Sequence, residues 1–319
     1  MNQSLLIIGP DIRFRGVGGV TIHVQRLRDY LEKNCVEYTF KDYKSNNLWT
    51  LMREIYHHKV IHIHISNPQY QFLMVFLCRM MGKQTIMTLH GDYGRFGWLR
   101  NHLVRLAISE VNVPIVINAK SFESCKYFNK NIRCISAFIP PQKEDALQYG
   151  IIELTERIHS AGKRIITTNA SNVALDKNGM DVYGIDFLVQ FFKNSSTMAL
   201  IVSDPSGNYT KKYLGLTSDT VFFINYPHPY YELLKHVDVF VRNTSTDGDA
   251  LSVKEALSLG VTTLCTDVVD RPAGVRLFKY CDRASFETAI SSNDVAAVSI
   301  ENGADSVLEV YKDLLLRQV

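Results

Sequence analysis

Short apolar runs rich in Val, Ile, Phe and Thr recur along this chain, and stretches of helical periodicity separate them. The first half holds "SLLIIG" (4–9), "KVIHIHIS" (59–66), "QTIMTL" (84–89), "VPIVIN" (113–118) and "CISAFI" (134–139). The second holds "RIITTN" (164–169), "MALIVS" (198–203), "VFFIN" (221–225), "VDVFVR" (237–242) and "VTTLCT" (261–266). Runs of this length without polar alternation are strands covered on both faces of a parallel sheet. Between them lie patterns such as "VTIHVQRLRDYL", whose Val20, Val24, Leu27 and Leu31 fall on one helical face. Strand–helix alternation through both halves predicts an α/β protein of two Rossmann-like, doubly wound domains facing a cleft. A chain of 319 residues is comfortable for two domains. The divide is expected in the polar stretch "ELTERIHSAGK", giving domains 1–160 and 161–319, with the last helix free to pack on either one.

Several classes are excluded. The longest uncharged apolar run, "FLMVFLC" (72–78), is far short of the ~20 residues a membrane span needs. "MNQSLLIIGP" reads as a first strand rather than a signal peptide. Six scattered cysteines with no C-x-x-C pair suit reduced thiols, and a cytoplasmic setting is expected. Charge is uneven: residues 1–160 hold 20 basic and 13 acidic residues (net +7), whereas 161–319 hold 15 and 19 (net −4). A basic half can face nucleic acid, an anionic membrane or a phosphorylated ligand, or can be an uneven solvated surface.

Ligands of open α/β sheets sit beyond the carboxyl ends of the strands, so residues that follow strands carry the chemistry. After the first strand, "GPDIRFRGVGGVTIHV" supplies Gly16, Gly18 and Gly19 before a helix. Its backbone amides suit an anion, although Thr21 stands where the third glycine of a dinucleotide fingerprint would be. A loop that merely closes the strand–helix connection reads equally well. "TLHGDYGRFGWLRNHLVRL" places His90 directly after a strand, where imidazole can donate to a phosphate or sugar hydroxyl, exchange a proton, or cap the strand. The residues that follow interleave Tyr93, Arg95, Phe96, Trp98, Arg100 and Arg105, a pattern for a membrane interface, a lipid-phosphate acceptor or a buried aromatic helix. His62 and His64 share one strand face, but no further cluster stands at a recognisable ligand spacing, so no metal is expected.

"TSTDGDALSVKEALSLG" (244–260) follows the strand "VDVFVR". Gly248 permits a tight turn, Asp249 is the expected N-cap, and Ala250, Leu251 and Ser252 supply free amides for a diphosphate. Glu255 can accept from ribose hydroxyls, and Asp247 from those of an attached sugar. A carboxylate against phosphate would be repulsive, which makes polyol binding the economical role of both.

"DGDALSVKEALSLG" followed by "TTLCTDVVDRPAG" resembles the E-x7-E region of retaining GT-B-fold glycosyltransferases, glycosyltransferase family 4, and is similar to members that build bacterial polysaccharides. Asp247 and Glu255 match the two acidic positions, with Asp in place of the first Glu. "GVGGVTIHV" looks like that family's glycine loop and "TLHG" like its strand-end His. The resemblance is closest over 231–274 and runs through both halves in order.

What the resemblance implies is metal-independent transfer of a sugar from a nucleotide-diphosphate sugar, UDP being the family-level expectation, to a glycan or lipid-diphosphate-linked acceptor. His90 and Asp247 are then catalytic. Gly18, Gly19, Asn169, Lys177 and the 248–252 turn with Glu255 bind donor; Arg15, His23, Asp92, Arg95 and Trp98 lie on the acceptor side. No cofactor and no nucleic acid are implied, and the protein would work in the cytoplasm, against the inner membrane face where its acceptor is lipid-linked. The family's diphosphate Arg after the first strand of the second domain is missing. Asn169 stands there and Lys177 is the remaining cation, with Arg13 or Arg15 as distant substitutes. Alternatives are a non-catalytic nucleotide-sugar binder, an epimerase or hydrolase of the same plan, and metal-dependent transfer through the D-x-D pair.

Overall fold

The computed structural model describes residues 5–15, 18–176, 179–216, 218–247, 249–292 and 298–316, with backbone alone at 14 and 15. The chain forms two compact units, Met1–Lys143 with Glu301–Val319, and Glu144–Ile300. The first runs β1 (Leu5–Gly9), α1 (Ile12–Arg15), α2 (Gly19–Lys33), β2 (Thr39–Asp42), α3 (Leu48–His57), β3 (Val60–Ile63), α4 (Pro68–Met80), β4 (Gln84–Leu89), α5 (Trp98–Glu110), β5 (Val113–Val116), α6 (Ala119–Cys125) and β6 (Arg133–Cys134). The second runs α7 (Tyr149–Ser160), β7 (Arg164–Asn169), α8 (Ile185–Phe192), β8 (Met198–Ser203), α9 (Asn208–Lys212), β9 (Val221–Ile224), α10 (Tyr230–Leu234), β10 (Val239–Arg242), α11 (Leu251–Ser258), β11 (Thr262–Thr266), β12 (Arg276–Phe278) and α12 (Arg283–Ser291). A final helix, α13 (Gly303–Leu316), returns to the first unit.

Each unit has one six-stranded sheet, ordered β2-β1-β3-β4-β5-β6 in the first and β12-β11-β10-β7-β8-β9 in the second. Every strand pairing within these two sheets is parallel among the described residues. Period-two burial explains why the strands lack polar alternation. Leu5 and Ile7 join the core under α2 and α13, while Leu6 and Ile8 join the one under α4 and α5. In the second unit Ile165 packs with α7 residues Ile151 and Ile158, and Ile166 with α8 residues Leu188 and Val189. The polar stretch containing α7 therefore opens the second unit, and the divide falls at 143/144 rather than after 160.

Strand order reverses once in each sheet, between β1 and β3 and between β7 and β10. The helices that follow the strands on either side of such a point leave in opposite directions, which opens a crevice at the carboxyl ends. Both candidate constellations described below lie at these two places.

Candidate functional site

In the second unit the reversal brings the end of β10 beside the end of β7. Arg242, the last residue of β10, reaches across with Nη1 to the carbonyl and Oδ1 of Asn169, at 3.3 and 3.4 Å. Its Nε and Nη2 hold Asp247 Oδ2 and Oδ1, both at 3.0 Å, in a two-pronged pair. Arg271 donates from Nη1 to Asp247 Oδ2 at 2.8 Å, and its Nε donates to the Thr266 carbonyl at 3.0 Å. One carboxylate is thus shared by two guanidiniums, with side-chain exposures of 6% for Asp247, 13% for Arg242 and 3% for Arg271. Burial alone would push the Asp247 carboxyl up. The hydrogen bonds and charges of Arg242 and Arg271 outweigh burial and hold it below the usual carboxylate range. Burial likewise works against the Arg242 charge, and Asp247 more than restores it.

This geometry corrects two sequence expectations. Asp247 does not stand open to sugar hydroxyls: guanidiniums occupy both of its oxygens. Asp249 does not cap α11, which starts one residue later, with Ala250 at the N-cap and no side-chain cap bond. Asp249 instead takes Lys254 Nζ at 2.5 Å, a lysine one turn into the helix that competes for its carboxylate. Leu251 and Ser252 remain in the first turn, and Glu255 is buried at 5% exposure. Gly248 and Lys177 lie outside the described residues.

Arg242 ends β10, the strand beside β7, and Arg271 lies in the loop that follows β11. Arg242 and Arg271 both lie in stretches that the sequence singles out. A lone arginine closing the apolar run "VDVFVR" was the available signal. Which strand neighbours β7 is a tertiary fact that no local pattern carries.

In the first unit His90 follows β4, His64 follows β3, and His23 lies in α2. His64 Nδ1 and His90 Nε2 share a 2.9 Å hydrogen bond, and the His23 ring stands 5.4 and 5.0 Å, centroid to centroid, from those of His64 and His90. Burial holds His23 at about 4 and keeps His64 and His90 well below the ordinary histidine value, so all three are neutral at pH 7. The His62 ring lies tilted against that of His64, 3.9 Å between centroids, and spends both nitrogens, on Tyr311 Oη (2.5 Å) and Thr88 Oγ1 (2.8 Å).

The other acceptor-side candidates lie nearby in sequence but play separate parts. Asp92 accepts from Asn118 Nδ2 (3.0 Å) and Lys120 Nζ (3.1 Å). Arg95 lies over the Phe96 ring, and Trp98 opens α5 fully exposed. Gly18 and Gly19 lead into α2, where the Gly18 amide is taken by Thr21 Oγ1 at 2.9 Å, and the Arg15 side chain is outside the described residues. No helix among the described residues is long and apolar enough to cross a membrane.

Two parallel six-stranded sheets, each flanked by helices and each with a reversal point, are the two Rossmann-like domains of the GT-B fold. Solved structures of that fold match along the whole chain. Anabaena HepE, crystallised with UDP, superposes with a TM-score of 0.65 at 12% identity, covering 98% of this chain and 96% of its own. Sucrose-phosphate synthase from Thermosynechococcus elongatus gives 0.60 at 13% identity, over 98% and 97%. A putative UDP-N-acetylglucosamine 2-epimerase from Listeria monocytogenes gives 0.67 at 11% identity, over 100% and 98%. At such identities the likeness establishes the fold. No protein-family model matches the sequence, and no curated protein matches it at a significant level.

Proposed function

We propose that the protein is a glycosyltransferase that moves a sugar from a nucleoside-diphosphate sugar, UDP in the first instance, to a glycan or lipid-diphosphate-linked acceptor in bacterial surface polysaccharide synthesis. The observation that carries this reading is the pair of buried arginines around Asp247 at the reversal point of the second sheet. A diphosphate leaving group needs positive charge held in place before it forms, and fixed donors in a water-poor site are worth several kcal/mol to a transition state. Two guanidiniums share one carboxylate here, and the amides of Leu251 and Ser252 open the adjacent helix. The GT-B fold, and the UDP bound to HepE, support a nucleotide donor.

In this reading Arg242 and Arg271 take the part of the arginine absent at Asn169. Asp247 becomes a positioning residue that aims both of them, Glu255 receives the ribose hydroxyls, and Lys177 remains a further donor-side cation. The second unit binds donor and the first binds acceptor, with His90, Arg95 and Trp98 as acceptor-side groups. The charge of the leaving diphosphate is met by protein cations rather than a metal ion, and transfer retains anomeric configuration.

The test is incubation with a panel of nucleotide sugars, with and without lipid-linked glycan acceptors, followed by quantification of nucleoside diphosphate and of the sugar product. Acceptor-dependent release is expected. The likeness to a putative epimerase favours a second reading, in which the sugar leaves or inverts at C2 without an acceptor. Acceptor-independent release or an epimerised donor would establish that instead, and tight binding without turnover would leave a nucleotide-sugar binder.

A further inference from the structure

The histidines at the reversal point of the first sheet carry an inference that goes beyond glycosyl transfer and does not rest on it. His23, His64 and His90 each bring a ring nitrogen within 4.8 Å of those of the other two. A tetrahedral zinc site with nitrogen ligands at 2.0–2.1 Å holds them about 3.4 Å apart, so small side-chain rotations would close the trio on an ion.

A second observation is independent of that spacing. His23 and His64 are 4% and 0% exposed, and the Nε2 atom of each has no hydrogen-bond partner among the described residues. A carbonyl can only accept, so the 2.9 Å contact with Ala137 O fixes the proton on His23 Nδ1 and leaves a bare lone pair at Nε2. For His64, the arrangement that avoids a buried unpaired N–H has Nδ1 donating to His90 Nε2 and again leaves its own Nε2 bare; His90 joins the pair by turning its Nε2 lone pair from that proton to the ion. Buried polar atoms without partners are destabilising and uncommon, and two in one cluster call for an occupant.

Polar groups around the trio behave as outer supports of a metal site. The His23 Nδ1–H bond to a backbone carbonyl fixes tautomer and ring orientation, as ligand histidines ordinarily require. His62, saturated by Tyr311 and Thr88, packs its ring against that of His64 and restricts it.

We infer that His23, His64 and His90 form a three-histidine site for a divalent transition-metal ion, zinc being the ion the ligand set fits, with its fourth position open. Three imidazoles and no protein carboxylate leave the ion its full charge. His90 then acts as a ligand rather than as a free hydroxyl contact, and the arginine cluster of the second unit is untouched. Ligand spacing along the sequence could not reveal the site, because its members come from three separate elements.

The experiment is a Co²⁺ titration of the full chain after dialysis against a chelator, read by visible absorption and by metal analysis. One Co²⁺ per chain with a tetrahedral nitrogen-ligand spectrum is expected, displaced by Zn²⁺. His23→Gln and His64→Gln should each abolish the spectrum, whereas replacement of the exposed His57 or His102 by Gln should not. Circular dichroism establishes that each variant is folded, and if His64→Gln is not, His23→Gln and His90→Gln carry the comparison. No spectrum from the native chain, or the same spectrum from folded trio variants, overturns the site. UDP binding is measured alongside and is expected in every variant, so failure of the metal site and failure of the donor reading are told apart.

Discussion

Replacing Asp247 by Asn removes one negative charge and keeps the shape. In the native protein that carboxylate receives three guanidinium hydrogen bonds of 2.8–3.0 Å from Arg242 and Arg271. The amide of Asn can accept at one oxygen only, and its NH₂ would face a guanidinium. Breaking a buried pair by removing one partner ordinarily costs about 3–5 kcal/mol. One retained hydrogen bond places this substitution at the lower end, about 3 kcal/mol, on the order of a hundredfold in a local opening equilibrium. Native-state hydrogen exchange read by mass spectrometry should therefore show peptides of β10, β11 and α11 opening on the order of a hundredfold more readily, while β1 and β3 change little. Both tryptophans, Trp49 and Trp98, lie in the first unit, so tryptophan fluorescence is blind to this loss and should not be the probe. The pH dependence has a definite sign. The folded carboxyl lies below its ordinary 3.8, so its contribution is fully present above that value and is lost as pH falls through the lower folded one. The gap between native and Asp247→Asn should be full at pH 7 and shrink only below about pH 4. Unchanged exchange in β10 and α11, or a gap that closes near neutrality, would refute the buried ion-pair account.

Three further outcomes follow from the packing and the proposed donor site. Tyr311→Phe strips the buried His62 Nδ1 of its partner and should lower the stability of the first unit by about 1–3 kcal/mol in urea unfolding followed by tryptophan fluorescence. Gly303→Ala should loosen α13, because a Cβ there would run into the carbonyl of Ser136; limited proteolysis should then release the C-terminal segment sooner than in the native chain. Arg271→Met, of similar length but uncharged, should weaken UDP binding by about tenfold or more in calorimetry while leaving β10 and β11 paired, since charged hydrogen bonds are worth about 1.5–3 kcal/mol.

Most of the fold is legible in the chain because buried parallel strands are written as unbroken apolar runs. Nine of the ten runs coincide with strands, from Leu5–Gly9 to Thr262–Thr266. The two strands that escape notice, β2 "TFKD" and β12 "RLF", sit at sheet edges, where one side is uncovered and apolar content is no longer required. "CISAFI" shares only Cys134 with β6, and Ile135 and Ile139 instead pack under α13. The site is legible only in part. Strand-end position singles out His64, His90 and the segment after β10, since it depends on local sequence. The partnerships of Asp247 with Arg271, and of His23 with His64, depend on which strands become neighbours. That is why Asp247 reads as an open sugar contact in the sequence and stands as a clamped counter-ion in the structure.

Donor binding by the second unit is the central claim, and calorimetric titration of the full chain with UDP and UDP-sugars tests it most directly, with Glu255→Gln titrated in parallel. A saturable one-site isotherm is expected for the native chain, weakened by about tenfold in Glu255→Gln through loss of the charged contact to ribose hydroxyls that the proposal assigns to Glu255. No heat with any nucleotide across the panel, or equal affinity in the variant, would contradict the assignment of α11 and its arginine cluster as the donor site.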